Sequence, residues 1–111
     1  MLWSGTPIVT LPGEKLASRV TASLLSALGL EDLVAKSLED YEELASALAL
    51  DMDRLWALRR RLEDARTSSP VFDTRRWVRS LELAYTMMWS RHELGMPPAD
   101  VEVPDTVMPS A

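Results

Sequence analysis

Gly5-Thr6-Pro7-Ile8-Val9-Thr10-Leu11-Pro12-Gly13-Glu14-Lys15-Leu16-Ala17-Ser18-Arg19-Val20 reads as strand, tight turn and helix. Ile8 to Leu11 is a short, mostly apolar run rich in β-branched residues, bracketed by Thr6-Pro7 and Pro12-Gly13, which suits a strand covered on both faces. Glu14 stands where the next helix is predicted to begin, and its charge suits the positive end of the helix dipole. Such a strand needs neighbours, because each backbone group buried without a partner costs about 1–3 kcal/mol. One other segment, Leu33-Val34-Ala35, reads as a strand. Pairing it parallel to Ile8–Leu11 gives one right-handed β-α-β crossover. Three residues make a poor partner. The sequence is therefore expected to be the last part of an α/β domain whose other strands are encoded upstream.

Working outward, Leu2 and Trp3 followed by Gly5 read as the closing turn of a helix. After the strand, Leu16, Val20, Leu24 and Leu28 recur at steps of four, predicting an amphipathic helix over Glu14–Leu28 that Gly29 stops. Ser37 with Asp40 three residues on resembles a capping box. The helix it opens buries Tyr41, Leu44, Ala45 and Leu48. Asp51 or Asp53 restarts the chain as a third helix, with Leu55, Leu58 and Leu62 as its stripe and Trp56 extending it, ending by Ser68-Ser69-Pro70. Asp73 is the N-cap expected for a last helix over about Thr74–Leu94. There Trp77, Val78, Leu81, Ala84, Tyr85, Met88 and Trp89 keep the helical period, which favours core packing over a ligand pocket. Gly95 and Pro97-Pro98 end it, and 99–111 is expected to be an extended or mobile tail.

Composition excludes several classes of function. At 111 residues, 47% hydrophobic and 26% charged, the chain has the make-up of one globular domain. A net charge of -5 argues against a nucleic-acid partner, which requires a basic face. Arg59-Arg60-Arg61 point about 100° apart on a helix and read as a solvated surface. Without cysteine there is no thiolate zinc site or cysteine nucleophile. No run is long and apolar enough to span a membrane, and no secretion signal is evident, so a cytoplasmic protein is expected.

Candidate chemistry is sparse. His92 is the only histidine and lies near a helix C-terminus, which favours a capping role. Glu42-Glu43 and Glu63-Asp64 lie on polar faces. The Pro12-Gly13 turn is better placed, since ligands of open α/β sheets bind beyond the carboxyl ends of strands. Glu14 there repels phosphate and suits a sugar hydroxyl, or it simply complements the helix dipole. Lys15 and Arg19, four apart, attract an anion or form an exposed face.

The run Leu2–Val20 resembles the C-terminal catalytic lobe of the protein O-linked N-acetylglucosamine transferases. Further resemblance follows in order at Leu33-Val34-Ala35-Lys36, Glu39-Asp40-Tyr41-Glu42, Ser69-Pro70-Val71-Phe72-Asp73-Thr74-Arg75-Arg76-Trp77, Leu81-Glu82-Leu83-Ala84-Tyr85 and Met88-Trp89. It covers about Leu2–Pro98. The related plant O-fucosyltransferases differ over Pro12–Arg19, which tilts the implied donor towards N-acetylglucosamine.

The resemblance implies a helix-rich α/β fragment: a terminal β-α-β unit plus three helices of the Rossmann-like C-terminal lobe of a GT-B glycosyltransferase, with 1–98 in the donor-binding lobe and 99–111 the tail. The implied reaction is inverting and metal-independent transfer of N-acetylglucosamine from UDP-GlcNAc to serine or threonine of cytoplasmic and nuclear protein acceptors, with no cofactor. Its catalytic residues have no counterpart in this chain, which alone is expected to be inactive. Pro12, Gly13, Glu14 and Arg19 are the residues implied at the donor-site edge. Two other readings stay open: a small helical interaction module using Trp77, Tyr85 and Trp89, and a short subunit completing a split glycosyltransferase.

Overall fold

A computed structural model describes residues 1–105. Four α-helices dominate it: α1 (Leu16–Ala27), α2 (Leu38–Leu50), α3 (Met52–Ser68) and α4 (Thr74–Glu93). Single 3-10 turns cover Leu2–Ser4, Glu31–Leu33 and Pro70–Phe72. The chain divides into two compact units, Met1–Phe72 and Asp73–Ala111.

The core of the first unit is made of leucine. Leu2, Leu25, Leu30, Leu33, Leu48, Leu58 and Leu62 form one buried cluster, with Ile8, Val9, Val34 and Phe72 packed against it. Leu2 enters it because Gly5, at φ 80°, closes the first turn by donating its N–H to the Leu2 carbonyl. Its neighbour Trp3 stays outside and meets Phe72 edge-on, ring centroids 5.1 Å apart.

α1 ends in a Schellman turn. Leu30 N–H reaches the Leu25 carbonyl at 2.8 Å and Gly29 N–H the Ser26 carbonyl at 3.0 Å, with Gly29 at φ 69° supplying the left-handed residue. That turn brings Leu25 and Leu30 together inside the core, so α1 buries Leu25. Of the predicted stripe at steps of four only Leu28 packs against the core: Leu16 is 83% exposed, and Val20 and Leu24 also face solvent.

α2 and α3 begin as expected. Asp40 N–H bonds Ser37 Oγ at 3.1 Å, and the Asp40 carboxylate accepts from Lys36 N–H at 2.8 Å, a capping box displaced by one residue. Asp51 Oδ1 accepts from Arg54 N–H at 3.0 Å. Leu58 and Leu62 are buried, while Trp56 lies outside the stripe, exposed beneath the Arg59 guanidinium.

The β-α-β unit does not form. Among the described residues there is no strand, only one parallel bridge between Thr10 and Val34. Thr10 N–H donates to the Leu33 carbonyl at 3.0 Å, and Ala35 N–H to the Thr10 carbonyl at 2.7 Å. Continuing the ladder would require an N–H at position 12, and Pro12 has none. In the other direction, the Glu31 carbonyl and Leu33 N–H are committed to the 3-10 turn, through Val34 N–H and the Leu30 carbonyl. With nothing on the far side of Ile8–Leu11, one bridge is all that the two segments sustain.

Arg61 is exposed, as expected of the arginine run, but it is not free. It donates to the Gly29 carbonyl at 2.6 Å and to Asp32 at 3.2 Å, tying α3 to the corner after α1. Arg61→Ala is expected to lower stability by about 1 kcal/mol, read as a lower urea midpoint, and Arg60→Ala to leave that midpoint unchanged.

In the second unit Asp73 caps α4, its Oδ1 accepting from Arg76 N–H at 2.9 Å. No residue of α4 is buried. Trp77, Tyr85, Met88 and Trp89, expected to pack in a core, are all more than half exposed. α4 closes on a second Schellman turn, with Met96 N–H to the Arg91 carbonyl at 3.1 Å, Gly95 N–H to the His92 carbonyl at 2.9 Å, and Gly95 at φ 66°. The following residues, from Pro97 to Asp105, have no regular structure and turn back along the helix, with Val101 and Val103 half-buried. Thr106 to Ala111 of the predicted tail lie outside the described residues.

Candidate functional site

Pro12 and Gly13 carry the chain from the bridge at Thr10 to α1. The helix begins at Leu16, with Lys15 as its extended N-cap and no acidic residue in its first turn. Glu14 therefore precedes the helix, next to the N-cap Lys15. The first turn is closed by Ser18, whose Oγ donates to the Lys15 carbonyl at 2.7 Å.

Gly13 is required by close approach. A Cβ at this position would stand 2.8 Å from Ser18 Oγ and 3.3 Å from Ser18 Cβ. Ser18 cannot retreat without giving up its bond to Lys15. Gly13→Ala is thus expected to cost about 1 kcal/mol and to shift the turn, seen as a lower thermal midpoint that Ser18→Gly partly restores.

Beyond the turn lies a broad open cavity of about 750 Å³. Pro12, Glu14 and Arg19, three of the four residues expected at a donor edge, line it together with Ser23 and Ser26. Gly13 does not line it and acts through the turn. Leu16, Val20 and Leu24 form the apolar side of the same cavity. The helix face that the sequence assigned to the core thus stands beside the polar candidates. Periodicity identified that face and could not say what it meets.

One carboxylate, one guanidinium and two hydroxyls over an apolar floor can hydrogen-bond a polyol and attract an anion. They do not make a nucleophile and base pair. His92 belongs to α4, where its ring lies against Trp89 at 5.4 Å between centroids. Among the described residues no three His, Asp or Glu side chains gather where they could hold a metal ion. No helix among those residues is long and apolar enough to cross a membrane.

Three comparisons say what the chain is similar to. The sequence model of glycosyl transferase family 41 matches residues 1–81. Among curated proteins, the chain is 46% identical over 104 residues to the probable UDP-N-acetylglucosamine–peptide N-acetylglucosaminyltransferase SEC of Arabidopsis thaliana, covering 93% of this chain and 11% of that protein. It is 46% identical over 97 residues to the UDP-N-acetylglucosamine–peptide N-acetylglucosaminyltransferase of Caenorhabditis elegans, covering 87% and 8% respectively. Among solved structures, a mutant O-GlcNAc transferase of Thermobaculum terrenum superposes with a TM-score of 0.72 at 39% identity, over 79% of this chain and 17% of that one. The chain spans about a tenth of the length of the curated relatives it matches. On a family match that runs through α1, α2 and α3 into α4, this chain belongs to glycosyl transferase family 41.

Proposed function

We propose that residues 1–98 are the C-terminal portion of the donor-binding lobe of a GT-B protein O-GlcNAc transferase. That enzyme moves N-acetylglucosamine from UDP-GlcNAc to serine or threonine hydroxyls of cytoplasmic and nuclear proteins, by inversion and without a metal ion. The observation that carries the reading is the clustering of Pro12, Glu14 and Arg19 on one open cavity at the end of the bridged segment, in a chain similar to peptide N-acetylglucosaminyltransferases. Glu14 accepts hydrogen bonds from sugar hydroxyls, Arg19 draws the anionic donor in, and Gly13 holds the turn that presents both. The exposed aromatic face of α4 suits burial against another lobe of the same enzyme. By itself, the 111-residue chain supplies only an edge of the donor site and does not turn over.

Two assays test this. The isolated chain, given radiolabelled UDP-GlcNAc and an acceptor peptide, is expected to transfer no label, and measurable transfer refutes the inactivity. A chimera in which residues 1–98 replace the matching segment of the Caenorhabditis elegans relative is expected to transfer, and a well-folded but inactive chimera refutes the assignment to this enzyme.

A further inference from the structure

The segment after α4 is held to it at both ends. Arg91 Nε donates to the Pro97 carbonyl at 2.6 Å, and Arg76 pairs with Asp105. The reach agrees: fifteen residues of helix span about 22 Å at 1.5 Å each, and eight extended steps span about 25 Å at 3.1 Å each. Charge agrees as well. The segment carries Asp100, Glu102 and Asp105 and no base, while α4 carries Arg75, Arg76, Arg79 and Arg91 against Glu82 and Glu93.

The fit is nevertheless loose. Beside Val101 a cavity of about 200 Å³ opens against Met88, His92 and Met96, and on the other flank one of about 400 Å³ opens against Met87, Ser90 and Leu94. Methionines, three of which line these cavities, repack readily around different side chains.

We propose that residues 97–105 are a displaceable clasp. They occupy in cis a groove along α4 that takes an extended acidic peptide of another protein, one whose apolar side chains are larger than valine. The arginines at the two ends set direction and charge, and the methionine-lined flanks accept the larger side chains.

The test uses the full chain and a fluorescein-labelled peptide of the sequence Pro97–Asp105, followed by fluorescence anisotropy. A D100K/E102K/D105K variant, its own clasp repelled by the arginines, is expected to bind the peptide at least about tenfold more tightly than the unmodified chain, the advantage shrinking as salt is raised. The peptide with V101F is expected to bind more tightly still. Equal affinity for both chains, or equally tight binding of a peptide with lysines at its three acidic positions, overturns the proposal. Should the triple change lower helicity, Asp105→Asn alone, expected to tighten binding about threefold, decides in the same way.

Discussion

Leu62→Ala is expected to lower the unfolding midpoint of the first unit far more than any surface substitution. Leu62 is completely buried and stands within the leucine cluster formed by α1, α2, α3 and the first turn. Removing three buried carbons there costs about 2–5 kcal/mol, depending on how far the cavity collapses. A unit of this size has roughly 4–11 kcal/mol of total stability, taking about 0.05–0.15 kcal/mol per residue. The substitution therefore removes a large share of what holds the unit together. Urea unfolding followed by far-UV circular dichroism reads the effect. Leu16→Ala is the control, since Leu16 is almost fully exposed and its loss should move the midpoint by no more than about 0.5 kcal/mol. Similar losses from both would mean that α1 packs through its step-of-four stripe after all.

The second large effect separates the isolated chain from a complete enzyme. Thr10 spends its N–H and C=O on Leu33 and Ala35, so the alternation of an extended chain aims those of Val9 and Leu11 the opposite way. Val9→Pro should therefore keep the bridge of the isolated chain and cost it only the packing of Val9 against the leucine cluster, about 1 kcal/mol. In the chimera with the Caenorhabditis elegans relative, the same change removes a donor from the edge where another strand would pair, and the ring clashes with that strand. Displacement of the Pro12–Arg19 edge by about 1 Å is enough to lower kcat/KM about 100-fold. Thr10→Pro should show the reverse ordering, destabilising even the isolated chain because it breaks the one bridge present. If Val9→Pro leaves the chimera fully active, Ile8–Leu11 is an edge segment and not an inner strand of a sheet.

Local signals were legible where the chemistry is local. Asp73 and Ser37 cap the helices they were expected to cap, and of Asp51 and Asp53 it is Asp51 that caps α3, since a short side chain bonding an N–H two or three residues on needs no tertiary partner. Gly5, Gly29 and Gly95 end turns in the left-handed conformation for the same reason. Pro12, Glu14 and Arg19 line one cavity because a turn followed by one helical turn fixes their spacing.

Burial was less legible. Period alone marks a helix face as apolar and is silent on which element covers it, so Leu16, Val20 and Leu24 were assigned to a core that the structure fills with Leu25. The aromatic stripe of α4 failed in the same way. Arg61 was missed because its partners, Gly29 and Asp32, are about thirty positions away in the chain, a pairing that no local pattern signals.

The helix caps and the Pro12-Gly13 turn are set by the sequence because each depends on residues within a few positions of one another, and family membership is set by it because the match runs in order along residues 1–81. Which leucines form the core, whether Ile8–Leu11 becomes a strand and which faces remain open were decided by tertiary structure. A hydrogen-bond ladder or a buried face exists only when a second segment arrives to complete it.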